Sequence, residues 1–188
     1  MLPAANTLAT PRPWGIGFKR CMAVCGGAAA AGRFELIGTA GLAQSPKAMT
    51  ISPALRLYAS TFVERRGLAT VDVGAPGCTS FVWNESLVVN LTEDATGEFI
   101  HALTHAGCIP RDGLAIDDSA EPDRWVEHHH AVDGFEWMTA CHLESGNVVL
   151  VSGLSTAMLD HTTFDEWLSR YLERLGIAAS VFRPRQDR

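Results

Sequence analysis

Histidines and cysteines are the residues of this 188-residue chain best suited to chemistry, and their spacing is the first test of it. His101 and His105 stand four apart. On a helix both imidazoles would share a face and could hold one zinc ion, yet His-Ala-Leu-Thr-His lacks the glutamate of the zinc-protease motif. On a strand the two still share a face, but they lie roughly 13 Å apart at about 3.3 Å per residue, too far to chelate one ion. His128, His129 and His130 are consecutive and would scatter around a helix rather than converge. Cys141 and His142 would point to opposite faces of a strand, and Cys21 and Cys25 have no Cys or His pair nearby at zinc-ligand spacing. No metal site and no cofactor are expected.

Nucleophilic chemistry is equally hard to assemble. Cys78, Cys108 and Cys141 have apolar neighbours, and no nearby charge marks one as an activated thiolate. Val151-Ser152-Gly153-Leu154-Ser155 is not a Gly-x-Ser-x-Gly elbow, and the scattered glycines never form a phosphate loop. Asp117–Asp118 reads as a solvated loop. Asp165–Glu166 reads as the first turn of a helix, where the dipole favours acids. The chain therefore reads as a non-enzyme, with a small metal- or thiol-dependent enzyme as the alternative.

Charge narrows the partners. Residues 1–48 hold five basic residues against one acid, whereas residues 49–188 hold ten arginines, no lysine and twenty acids. A part that acidic repels phosphate backbones, which excludes nucleic acid as the expected partner. Five cysteines without a dense framework point to reduced thiols and a cytoplasmic setting rather than a disulfide-stapled secreted domain. No apolar run approaches the roughly 18–20 residues of a membrane span.

The elements that would position these residues follow from periodicity. Ser52–Pro53 is an N-cap and N1 pair, and Leu55, Tyr58, Ala59, Phe62 and Val63 form a core-facing stripe that Gly67 closes. Leu57 sits off that stripe. Thr70–Val73, Cys78–Trp83, Leu87–Thr92 and Glu98–Ala106 read as strands, with a hairpin turn at Asn84–Ser86. A short helix is expected over Glu121–Ala131, with Trp125 and Val126 its only large apolar residues before the histidines. Phe135–Leu143 and Val148–Val151 read as two strands joined by turn residues Glu144–Asn147. A final helix carries Phe164, Trp167, Leu168, Tyr171, Leu172 and Leu175 on one stripe, with Thr163 and Glu166 as a capping box and Gly176 as its end. The fold class is α+β: helix, three strands, helix, two strands, helix, around a mostly antiparallel sheet.

Residues 1–48 differ from the rest. Pro3, Pro11 and Pro13, the Gly26–Gly27 pair and the Ala28–Ala31 run show no sustained period, so the segment reads as a low-complexity extension. It is expected to be flexible or to reflect a mis-assigned start, with Met49 as the alternative first residue. A signal sequence on an exported envelope protein is the competing reading, weakened by glycines inside the apolar stretch and by Arg33 and Glu35 directly after it. The folded domain is expected over 49–180, with 181–188 as a tail.

That order of elements in a small acidic domain resembles the class I type III secretion chaperones, the Tir-chaperone-like family. The similarity runs through Ser52–Gly67, Gly77–Trp83, Leu87–Leu91, Phe99–Pro110 and, most strongly, Phe135–Leu143, Asn147–Val151 and Leu159–Leu175. The stretch Phe99–Pro110 resembles the family's third strand, which ends in a Gly and a Pro. The second helix departs from the pattern, since Trp125, Val126 and three histidines stand where a Leu-rich signature is expected. The resemblance implies an ATP-independent cytosolic homodimer, part of a virulence-type secretion system. It would bind the N-terminal segment of a secreted effector and keep it secretion-competent by strand addition and apolar pockets. It places cargo contacts at Leu57, Phe81, Trp83, Val88 and Leu91, and dimer contacts at Trp125, Val126 and Met138.

Overall fold

The computed structural model describes residues 51–72, 77–109, 125–132, 135–143 and 145–182. The expected 1–48 extension, the polar turn around Asp117–Asp118 and the last six residues lie outside the described residues. Helix α1 (Pro53–Arg66) begins as its sequence dictates: the Ser52 hydroxyl accepts from the Leu55 N–H at 3.1 Å, and proline occupies the first turn. Ser52 also donates its own N–H (3.0 Å) and its hydroxyl to the Glu93 carboxylate, which ties the start of the helix to the sheet. Leu55, Ala59, Phe62 and Val63 face inward, and Gly67 ends the helix.

Seven strands follow: β1 (Ala69–Val71), β2 (Cys78–Trp83), β3 (Leu87–Glu93), β4 (Phe99–Cys108), β5 (Trp125–Val132), β6 (Phe135–His142) and β7 (Asn147–Ser155). They form one antiparallel sheet in the order β1-β2-β3-β4-β7-β6-β5. The three-residue loop Asn84–Ser86 joins the paired Trp83 and Leu87, and it reverses the chain with Asn84 and Glu85 both at positive φ (51° and 64°). β4 is broken between His105 and Gly107 by a bulge, and it continues to Cys108 rather than stopping at the glycine. A side chain at Gly107, whose φ is 140°, would collide with the Phe182 carbonyl, so the bulge leaves room for the end of the last helix.

A 3₁₀ turn (Thr156–Met158) leads into helix α2 (His161–Val181). Two expectations for this helix are corrected. The cap is Asp160, whose carboxylate accepts from the Thr163 N–H at 2.7 Å, while Glu166 pairs with Arg170 at 2.7 Å instead of closing a capping box. Gly176 does not end the helix. A Cβ there would lie 3.1 Å from the Trp83 ring, so the glycine lets α2 pass over that indole and run on to Val181.

The larger correction concerns Glu121–Ala131. No helix lies at Trp125–Val132; these residues form the edge strand β5, in unbroken register with β6 from Trp125↔His142 to Val132↔Phe135. The reason is visible in composition. Two apolar residues give a helix almost nothing to bury, whereas a strand paired with β6 satisfies its backbone without an apolar stripe. The architecture is therefore α+β with two helices and seven strands among the described residues. No helix among them is long and apolar enough to cross a membrane.

Both helices cover one face of the sheet, with α2 packed mainly on β4 and β7 and α1 against β2 and α2. Phe81, Leu91, Ile100, Trp137, Leu150 and Leu154 supply the sheet side of this core. Two polar anchors lie within it. The Tyr171 hydroxyl donates to Thr104 Oγ1 (2.9 Å) and the Leu150 carbonyl (3.0 Å), and Trp167 Nε1 donates to Ser152 Oγ at 2.9 Å. Complete burial drives the Tyr171 hydroxyl far above its ordinary pKa. A second cluster, Leu103, Met138, Ala140, Val149 and Val151, is buried on the opposite face, with Cys78 and Trp125 packed against it.

Tyr171→Phe keeps the ring and removes the buried hydroxyl, leaving Thr104 without its donor. Urea unfolding should show a loss of about 1–2 kcal/mol with an unchanged denaturant slope.

Candidate partner-binding surface

With Leu55, Ala59, Phe62 and Val63 turned inward, the helical period forces Arg56, Leu57 and Ser60 to the outside of α1. Leu57 is 57% exposed. Together with Ile51 and Pro53, these residues line an open hollow of about 490 Å³ at the start of the helix. The Ser60 hydroxyl is taken up by the Leu57 carbonyl at 2.9 Å, so the lining is apolar with Arg56 as its charged member. The hollow can take an aliphatic or aromatic side chain from a partner. Of the residues that form it, the sequence singled out Leu57 alone. Arg56, Ile51, Pro53 and Ser60 were legible as its helical neighbours only once α1 was fixed against the sheet.

The other expected cargo residues are divided by the fold. Phe81 and Leu91 are buried to 1% and 0% exposure between sheet and helices, which removes them from any surface a partner could reach. Trp83 is half-buried beside Gly176, and Val88 is half-buried on the opposite face of the sheet, paired with Val82. Leu57, Trp83 and Val88 thus do not form one continuous patch. Of the expected dimer residues, Met138 is fully buried in the second cluster and Trp125 is half-buried against it, its ring 4.9 Å from that of His142. Val126 alone is exposed, at 48%.

A second hollow, about 550 Å³, lies between α2 and β6 and is lined by Trp137, Glu166, Ser169, Arg170, Glu173, Arg174 and Ile177. Its charges are largely engaged. Arg170 binds Glu166 and lies 5.8 Å over the Phe135 ring, and Arg174 lies 5.1 Å over the Trp137 ring.

The chemistry-bearing residues are dispersed. His101 and His105 lie on β4, and His105 Nε2 is 3.4 Å from Asn147 Oδ1, to which the Cys108 thiol donates at 3.2 Å. On β5, His128 and His129 fall on alternate faces of the strand, and His129 pairs with Glu127 at 3.2 Å. Burial raises the Cys141 thiol above its ordinary pKa, with Cys108 adding to the effect, and that disfavours a thiolate. Among the described residues no group of three or more His, Cys, Asp or Glu is placed to hold a metal ion.

His101 carries the clearest titration. Burial lowers its pKa from 6.5 to about 4, against a smaller upward pull from Asp94. Asp94 itself stays below its ordinary value despite partial burial, because Thr96 and the Phe99 N–H bond its carboxylate. The folded state therefore holds His101 neutral, and the unfolded chain binds the proton first. Stability contributed by this group is complete above pH 6.5 and is lost as pH falls from there towards 4. Urea unfolding between pH 7 and pH 4 should show about 2–3 kcal/mol of loss. A His101→Gln variant should show a much flatter profile over the same window.

No family model and no curated protein matches the sequence. Among solved structures, a chain from the crystal structure of the ExsC–ExsE complex is similar to this one at 16% identity and a TM-score of 0.44, the match covering 74% of this chain and 100% of that one.

Proposed function

We propose that this protein is a cytosolic, homodimeric chaperone that binds the N-terminal segment of a type III secreted effector and keeps it secretion-competent. The family resemblance of the sequence supplies the class. The observation that carries the reading to particular residues is the hollow on α1, where Leu57 stands exposed beside Ile51, Pro53 and Arg56. Leu57 lies outside the inward stripe of α1, so it is open to a partner without disturbing the core. A partner's apolar side chain seated there would remove both groups from water, and burial of one such side chain is worth about 1.5–3 kcal/mol. An unfolded effector segment offers such side chains at intervals, and its ordering cost is offset by wrapping a long surface. Arg56 adds a cation for an acidic residue of the segment. Binding of this kind uses no nucleotide and makes no covalent bond.

Co-purification with the N-terminal fragments of candidate secreted effectors from the same cell tests the reading. Wild-type protein should retain one such fragment, and Leu57→Glu should weaken it at least about tenfold, since loss of one buried leucine exceeds 1.4 kcal/mol. The thermal midpoint should be unchanged, because Leu57 makes no core contact. Undiminished binding by Leu57→Glu would remove the α1 hollow from the interface, and no retention by the wild type would remove the function.

A further inference from the structure

The two ends of the sheet are protected very differently. At one end stands β1, only three residues long. At the other stands β5, eight residues in continuous register with β6, and β6 is its only strand partner among the described residues. Natural edge strands are guarded against association by being short, by proline, by lysine or by a bulge. β5 has none of these: Trp-Val-Glu-His-His-His-Ala-Val contains no proline, glycine or lysine, and its pairing with β6 shows no register shift. Val126 on this strand is among the exposed large hydrophobic residues of the chain.

We infer that the β5 edge is the contact between two copies of this chain, which pair β5 to β5 about a two-fold axis and extend the sheet across the dimer. This deepens the proposed homodimer and rests on that part of the reading; the cargo hollow on α1 is separate from it. A second copy is favoured by the order of charges along the strand. An axis perpendicular to the sheet keeps both helical layers on one side and requires residues of like face to stand opposite each other. Centred on His128, that axis sets Glu127 of each copy opposite His129 of the other, giving two symmetric acid–imidazole pairs. Moving the centre to His129 sets Glu127 opposite Ala131 and forfeits both. Glu127 and His129 already meet at 3.2 Å within one chain, so they lie on one face with their polar ends towards solvent.

The register is directly testable in the full-length protein. His128→Cys places two thiols across the axis at about the 4.5–5.5 Å Cα separation of paired strands, within disulfide reach, so mild oxidation with diamide should give a covalent dimer above the wild-type background. His129→Glu sets like charges opposite each other twice and should raise the dimer dissociation constant roughly tenfold. The double variant Glu127→Arg/His129→Glu should restore the dimer, which a merely destabilised strand would not do. Light scattering and thermal melts would be recorded for every variant. A wild-type dimer that neither cross-links through position 128 nor responds to His129→Glu would place the contact on another face and overturn the inference. A monomeric wild type at tens of micromolar would overturn it as well. Effector retention by the Leu57-bearing hollow is read separately, so failure of the dimer contact and failure of the chaperone reading are distinguishable.

Discussion

The hydrogen bonds of Tyr171 and Trp167 constrain everything else on the helical face. An apolar stripe alone would hold α2 against the sheet but would let it slide and roll. Two buried donors cannot be left unpaired without a cost of about 1–3 kcal/mol each, so the helix must sit where Tyr171 reaches Thr104 and Leu150 and where Trp167 reaches Ser152. These acceptors belong to β4 and β7, the strands that join the two halves of the sheet. With α2 fixed there, α1 is confined to the β2 side of the layer, bridged to α2 by contacts of Phe62 and Tyr58 with Phe164. Its remaining face, with Leu57, turns to solvent. The hollow lies on the side of α1 that this packing leaves uncovered.

The opposite face of the sheet is organised by a different rule. Near β2 and β3 it is polar and internally satisfied: Ser80 donates to Asn90 at 2.8 Å, and the Asn90 amide donates to the Leu103 carbonyl at 3.4 Å. Near β6 and β7 it is apolar, with Met138, Ala140, Val149 and Val151 fully or almost fully buried. His101 stands on the polar half, opposite Thr92 in the register, and its depressed pKa is what a buried imidazole must show when no strong opposing charge repays its protonation. The same burial that suits a neutral histidine makes it a poor general base near neutrality.

Much of this was legible in the sequence wherever the local signal and the tertiary demand agreed. Ser52–Pro53 and Gly67 bound α1 because caps act within one turn, and the stripe from Phe164 to Leu175 is buried in full. The strand reading of the segment from Phe99 holds because Ile100, Ala102 and Thr104 alternate onto the helical face. What failed to show was longer-range. Gly176 carries a helix-ending signal that the chain overrides, since the demand it meets comes from Trp83, far away in sequence. Phe81 and Leu91 share the alternation expected of a surface, yet alternation says only that two residues lie on one face, not which face the helices cover. Glu121–Ala131 misled for a related reason. Acidic and histidine-rich residues after a proline imitate the first turns of a helix, and the decisive partner, β6, begins only after residue 132.

Exchange of an expected helix for a strand at this position alters the kind of contact the protein can make there. A helix would offer side chains and would associate in proportion to the apolar area it buried. β5 has little such area, with Val126 exposed and Trp125 partly committed to the second cluster. An edge strand associates through backbone groups, which every strand possesses, so affinity comes easily and selectivity does not. Selectivity must then come from the side chains that the register sets opposite each other. Glu127 and His129 are suited to that task because they are complementary when the strand meets itself in reverse. His128 and His129 lie on alternate faces of β5, so this edge carries imidazoles on both sides of the sheet and not the converging set that one metal ion would need.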